Sequence, residues 1–164
     1  WAFTFGKASQ KGFTNSHCHI LYYTKRKTKV FFDETAVRVK SARELIYKDR
    51  RALAGGKQPD DTWMLLRQQM EPYMTPDTDT WLESRICGTF KERCKHVPNQ
   101  LPEPIVQRIV LAASRPGDMV VDPFVGTGTA AAVAVRCGRR FWGCDVSPES
   151  VKHAIARTRK ELSK

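Results

Sequence analysis

At 164 residues with 41% hydrophobic residues, the chain suits one globular domain, and no apolar run approaches the roughly 20 residues that cross a bilayer. No membrane attachment or signal peptide is expected, and five cysteines without framework spacing point to free thiols in a reducing compartment, the cytoplasm. With 28 basic against 17 acidic residues the net charge is +11, which either attracts polyanions such as nucleic acid or serves as a solubilising surface. The sequence opens on Trp1 rather than Met, inside an apolar aromatic stretch, and so reads as a fragment or trimmed product.

"WAFTF" and "HCHILYYT" have the aromatic and β-branched content of strands, and "KVFFD" is placed to return as a hairpin partner after the basic turn "KRKTK". "SARELIYKDRRALAGG" is predicted helical, with a capping-box spacing of Ser41 and Glu44, apolar positions Leu45, Ile46 and Leu53, and a stop at Gly55 and Gly56. Residues 57 to 100 carry many prolines together with Trp63 and Trp81, which predicts an ordered but irregular segment rather than a linker.

From Pro102 the periodicity sharpens. "PEPIVQRIVLAAS" is predicted as a helix with Ile105, Ile109 and Ala112 on one face. "GDMVVD" is a short buried strand, "GTAAAVAVRCG" a helix ending at Gly138, and "RRFWGCD" a second strand. "SPESVKHAIARTRKEL" is a last helix, capped by Ser147 with Pro148 in its first turn. This order predicts an α/β fold built on a parallel, doubly wound sheet.

The turn in "VVDPFVGTGTAAA" joins the first of those strands to its helix. It is no Walker loop, because Gly128 is followed by Thr129 and Ala130 without a Lys-Ser/Thr pair, and Ala131 stands where a dinucleotide fingerprint has its third glycine. Gly126 and Gly128 allow close backbone approach at the carboxyl end of a strand, where open α/β sheets bind ligands. Asp145, ending the next strand, is placed to accept hydrogen bonds from ribose hydroxyls. The pattern fits a nucleoside with a small polar tail; a tight turn without ligand is the alternative.

"DPFVGTGT" resembles the S-adenosylmethionine motif of the amino-directed DNA methyltransferases, which modify adenine N6 or cytosine N4, in the order that places the cofactor region near the carboxyl end. "NSHCHILYYTK" is similar to the strand after that family's catalytic region, "HVPNQLPEPIVQRIVLAAS" to the segment and helix before its cofactor loop, and "GRRFWGCDVSPESVKHAIAR" to its second cofactor strand and helix. The resemblance implies a partial Rossmann-like fold in which residues 1–33 give strands of the catalytic sheet, 34–95 a target-recognition segment and 96–164 the cofactor-binding βαβ region. It implies that Asp122, Pro123, Phe124, Gly126, Gly128 and Thr129 line the cofactor, that Asp145 holds the ribose, and that Asn99 and Gln100 reach its amino-acid end. The chain departs from the family pattern at Leu101, where Lys is frequent, and at Cys18, where Glu is frequent.

The family's Asp/Asn/Ser-Pro-Pro-aromatic tetrapeptide, which holds and stacks on the flipped base, does not occur in the sequence. "DPFV" belongs to the cofactor turn, and "EPYM" at 71–74 lacks the second proline. In the family order that motif precedes Trp1, so no catalytic residue is assigned to this chain. The implied function is part of a DNA methyltransferase of restriction-modification type, inactive alone. A non-catalytic nucleic-acid-binding or cofactor-binding subunit is the alternative, and an RNA methyltransferase a third. Implied partners are double-stranded DNA, a missing amino-terminal catalytic segment or separate chain, and a second copy in a homodimer.

His17, Cys18 and His19 invite a metal reading, with alternation placing both histidines on one strand face. No further ligands stand at zinc-site spacing, so a hydrogen-bonded strand pair is expected and no metal site. Cys87 and Cys94 are too far apart for a knuckle, and Cys137 and Cys144 flank the second strand as core thiols. If DNA is the partner, Lys25, Arg26, Lys27, Arg50 and Arg51 are phosphate contacts rather than base readers.

Overall fold

The computed structural model describes residues 2–7, 11, 15–40, 42–45, 47–52, 55–59, 93–94 and 99–164. The chain divides into two compact units, Trp1–Val30 with Glu34–Arg85, and Phe31–Asp33 with Ile86–Lys164. Most of the predicted irregular segment, with Trp63 and Trp81, lies outside the described residues, as does Cys87.

In the first unit, β1 (Ala2–Lys7) pairs antiparallel with β2 (Asn15–His17), and the register shifts between their ends. Three sequence expectations are corrected here. The second strand stops at His17, so residues 18–24 are not a strand and alternation does not set His17 and His19 on one face. "KVFFD" is not the hairpin partner; Phe31–Asp33 belongs to the other unit, where the Asp33 amide donates to the Ala112 carbonyl at 2.8 Å and Arg115 stacks over the Phe31 ring.

Of the long helix expected through "SARELIYKDRRALAGG", the described residues show α1, Ala42–Leu45, and residues 47–52 are not helical. Lys48 adopts φ 49°, a left-handed conformation that a helix interior does not hold. Asp49 then folds back on itself, accepting from the Arg51 amide at 2.9 Å. Gly56 serves the antiparallel bridge between Val39 and Lys57. A Cβ on Gly56 would sit 2.4 Å from the Val39 carbonyl oxygen.

The second unit is built around α2 (Glu103–Ala113), β3 (Met119–Asp122), α3 (Thr129–Arg136), β4 (Arg140–Gly143) and α4 (Pro148–Leu162). β3 and β4 are parallel neighbours, with Val120 opposite Phe141 and Asp122 opposite Gly143. This is the expected βαβ arrangement of an α/β fold, with α3 as the crossover. The alanine run of α3 gives it a thin profile, so Ala131, Ala132, Val133 and Ala134 are all buried while the helix packs on α2, α4 and both strands. Val106, Val110 and Val133 form the core, joined by Val120.

Two further expectations change. On α2 the buried face is Ile105, Val106, Val110 and Ala112, whereas Ile109 is exposed, because α3 meets the helix along the Val106–Val110 row. β3 is half-buried on one side and exposed on the other: α3 covers the Val120 side, and Met119, Val121 and Trp142 on the opposite side are exposed. Cys137 packs against the core as expected, but Cys144 lies past the end of β4 and is exposed. Arg139, 8% exposed, donates to the Ser114 carbonyl and the Cys137 carbonyl, both at 2.6 Å, and so satisfies carbonyls at the carboxyl ends of two helices. Among the described residues no helix is long and apolar enough to cross a membrane.

Candidate functional site

The strand ladder continues past β3 and β4. The Cys144 amide donates to the Asp122 carbonyl at 3.2 Å and the Val125 amide to the Cys144 carbonyl at 3.0 Å, so the loop after β3 lies against the end of β4. Gly143 permits this contact, since a Cβ there would stand 2.5 Å from Val125 Cγ2 and 2.7 Å from the Asp122 carbonyl oxygen. The Asp122 carboxylate accepts from the Phe124 amide at 2.9 Å, an Asx turn that starts the loop and leaves the Phe124 ring 84% exposed.

Asp145 ties the loop to the second strand. One carboxylate oxygen accepts the Gly126 amide at 2.8 Å and the other the Ser147 amide at 2.9 Å. The Ser147 and Gly126 amides hold its carboxyl below the usual aspartate range, so it is ionised near neutrality. A carboxylate has about four acceptor positions and two are used here, which leaves capacity for hydroxyl donors. Ser147 also caps α4, its Oγ accepting from the Ser150 amide at 3.3 Å, as expected from sequence.

The two glycines of the turn have different tasks. Gly126 has φ 50° and Gly128 φ 74°, both left-handed. A Cβ on Gly128 would meet Ala154 Cα at 2.6 Å and Ala154 Cβ at 2.8 Å, so its missing side chain is what lets α4 press onto the turn.

Beside that contact the turn is held from α4 by an arginine. Arg157 donates to Thr129 Oγ1 at 3.1 Å, approaches the Thr127 carbonyl and hydroxyl at 3.5 Å, and pairs with Glu103. The hydroxyls of Thr127 and Thr129 share a hydrogen bond of 3.1 Å, and both residues are buried. Glu103 also accepts from Arg136 at 2.7 Å. Burial pushes the Glu103 carboxyl up, but the hydrogen bonds and charges of Arg157 and Arg136 outweigh it and leave the group below its ordinary value. An open groove of about 660 Å³ runs along this side, lined by Cys94, Glu103, Thr127, His153, Arg157 and Lys160.

The structure thus brings Asp122, Pro123, Phe124, Gly126 and Asp145 together at the carboxyl ends of the two strands, while Gly128 and the Thr129 hydroxyl are engaged by α4. Gln100 is buried, its Oε1 accepting from the Cys94 amide at 2.8 Å, and Asn99 is exposed. Lys25, Arg26, Lys27, Arg50 and Arg51 are exposed. Arg51 grips both oxygens of Asp49 at 3.1 Å, and Arg43 reaches the same carboxylate at 3.0 Å. Sequence reasoning missed Arg157, Glu103 and Gly143. The available signal for Arg157 was its position three residues after Ala154, on the same face of an amphipathic helix.

A family model described as DNA methylase (N6_N4_Mtase) matches residues 1–156. The chain belongs to this amino-directed DNA methylase family. Within it, the type II methyltransferase M.BglII of Bacillus subtilis is 33% identical over 153 residues, 92% of this chain and 38% of that protein. The type II methyltransferase M2.DpnII of Streptococcus pneumoniae is 47% identical over 83 residues, 51% of this chain and 30% of that protein. A crystal structure of the M1.HpyAVI-SAM complex aligns at 26% identity and TM-score 0.42, over 62% of this chain and 46% of the other. The matched regions span 30% to 46% of the length of these methylases. The match to the family model takes in both the glycine turn and the basic residues 25–27.

Proposed function

We propose that this methylase chain is the cofactor-binding part, with a target-recognition segment, of a site-specific DNA methyltransferase acting on adenine N6 or cytosine N4. The observation that carries this reading is Asp145: an ionised carboxylate fixed at the end of β4, against the glycine turn that ends β3. Such an acid at the carboxyl edge of a parallel sheet suits the two hydroxyls of a ribose. The exposed Phe124 and Val146 at the same edge offer apolar surface for a purine. These residues fit S-adenosylmethionine, which when bound supplies an electrophilic sulfonium methyl.

In this reading Asp145 accepts from the ribose, the turn from Asp122 through Gly126 and Gly128 to Thr129 bounds the cofactor, and Asn99 and Gln100 serve its amino-acid end. Residues 1–33 belong to the catalytic sheet and 34–95 carry target recognition. Lys25, Arg26, Lys27, Arg50 and Arg51 meet DNA phosphates. The cytoplasm is where such a chain would work.

No Pro-Pro-aromatic tetrapeptide occurs in the 164 residues. Transfer to an extruded base then requires polypeptide that supplies the acceptors polarising its amino group. The absence of that tetrapeptide also supports a second reading, a non-catalytic subunit that works beside a separate catalytic chain.

Calorimetry with S-adenosylhomocysteine tests the cofactor reading, with saturable 1:1 binding as the expected result and no binding as the result that removes it. Incorporation of labelled methyl into duplex DNA tests the division of labour. The chain alone is expected to transfer none, and a longer polypeptide containing the tetrapeptide is expected to transfer. Activity of the 164 residues alone would place the catalytic groups within this chain.

A further inference from the structure

The glycine turn is gripped from α4 at two positions one helical turn apart, the buried Ala154 and the half-buried Arg157. Ala154 occupies the space over Gly128, and one helical turn later Arg157 reaches the hydroxyls of Thr127 and Thr129. The same guanidinium pairs with Glu103 at the start of α2, so a single side chain joins three pieces of backbone: the turn, the first turn of α2 and α4. Thr127 and Thr129 flank Gly128, and Gly126 presents its amide to Asp145 on the other flank of the loop. A shift of the threonine pair is therefore transmitted, within one or two residues, to the amide that Asp145 holds.

We infer that Arg157 is a positioning residue for the cofactor loop: its contact with Thr127 and Thr129 through one guanidinium nitrogen, with the other held by Glu103, sets the turn in which Gly126 meets Asp145, and so sets affinity for the nucleoside part of the cofactor. This deepens the proposed function and rests on its assignment of the turn to S-adenosylmethionine. Arg157 does not touch the site at Asp145 and acts only through the loop. An arginine suits the task because its planar fork serves the threonines with one nitrogen and Glu103 with another, which a lysine ammonium on a single stem does not do.

The test uses the full 164-residue chain and three variants. Arg157→Lys keeps a cation beside Glu103 but gives up the fork. Thr129→Val removes one hydroxyl at nearly constant shape. Glu103→Gln weakens the ion pair while leaving the threonine contacts. Arg157→Lys and Thr129→Val are each expected to weaken binding of S-adenosylhomocysteine by about tenfold, the scale of one lost charged hydrogen bond, and their combination by little more than either alone. In the ligand-free chain both should speed amide hydrogen exchange at Gly126 and Gly128. Glu103→Gln should lower the melting temperature with a smaller effect on affinity.

Affinity losses that simply follow melting temperature across the three variants, or unchanged exchange at Gly126 in Arg157→Lys, would overturn the positioning role. If the wild-type chain binds no cofactor, the cofactor assignment falls. The exchange measurement then decides separately whether Arg157 governs the turn: faster exchange upholds that, and unchanged exchange removes it.

Discussion

The Gly126 amide donates to an Asp145 carboxylate oxygen at 2.8 Å, across 19 residues of chain. With the Ser147 amide on the other oxygen, this one carboxylate holds the loop after β3 and the entry to α4 in fixed relation. An asparagine there would set its NH2 group against one of the two backbone donors, an arrangement that cannot be satisfied. Asp145→Asn is therefore expected to melt at lower temperature, to speed hydrogen exchange at Gly126 or Ser147, and to weaken S-adenosylhomocysteine binding. Unchanged exchange at both amides would show that the carboxylate is not the latch described.

Gly128 and Gly138 provide a matched comparison, with φ 74° and 73° but different surroundings. A Cβ on Gly138 meets nothing within 4 Å, whereas one on Gly128 meets Ala154 at 2.6 Å. Gly138→Ala should cost about 1 to 2 kcal/mol for the left-handed backbone alone. Gly128→Ala should cost roughly a further 1 to 3 kcal/mol, because α4 must move away. Urea denaturation of both variants checks the difference, and equal losses would mean that α4 does not press on the turn.

These residues also show where sequence was informative. Ser147, Pro148 and the apolar spacing of 105–112 mark helices that form where the pattern places them, although Ile109, expected on the buried face of the first, is exposed. Gly128 was legible as a special position, but its reason, the approach of Ala154, lies 26 residues away and leaves no local mark. Arg157 looks like any arginine of a basic helix until Glu103 and the threonines surround it. The helix expected over 41–56 fails for a related reason: its periodicity is real, but Lys48 in a left-handed conformation and the Val39–Lys57 bridge override it. The buried face expected for β3 requires a covering layer that no short pattern can report.

Glu103 is the acceptor shared by Arg136 and Arg157, and its side chain is 24% exposed. Glu103→Gln should lower stability at neutral pH by roughly 1.5 to 3 kcal/mol, the range for hydrogen bonds to charged groups. The carboxyl is held below its ordinary value of 4.5, so the folded state binds its proton less readily than the unfolded chain does. Its contribution is complete above about pH 4.5 and is lost as pH falls from there through the lowered folded value. Asp145, lowered from 3.8, acts with the same sign in a slightly more acidic window. The stability gap between wild type and Glu103→Gln, followed by urea denaturation, should therefore be constant from pH 7 to about pH 5 and close below pH 4.5. A gap that persists at low pH would assign the loss to packing rather than to charge.

The basic residues proposed to meet DNA are not equivalent, and the structure ranks them. Lys25, Arg26 and Lys27 are exposed in succession, whereas Arg51 is held on Asp49 through two hydrogen bonds and must give these up to reach a phosphate. Asp49 favours that pairing: the Arg51 side chain and amide hold its carboxyl below the ordinary range, so it stays charged. Binding to duplex DNA should weaken steeply between about 50 and 200 mM salt, with each phosphate contact contributing about 0.9 to the logarithmic slope. Reversing Lys25, Arg26 and Lys27 together should reduce that slope by roughly 3 and weaken all duplex sequences alike. Arg50→Ala should reduce it by about 1 and Arg51→Ala by clearly less, because the Asp49 pair already screens that charge. Fluorescence anisotropy with a duplex titrated at several salt concentrations measures each slope. A slope that is flat in the wild type would identify residues 25–27 as solvated surface charge, and equal effects of the Arg50 and Arg51 variants would show that the Asp49 pair opens freely on DNA.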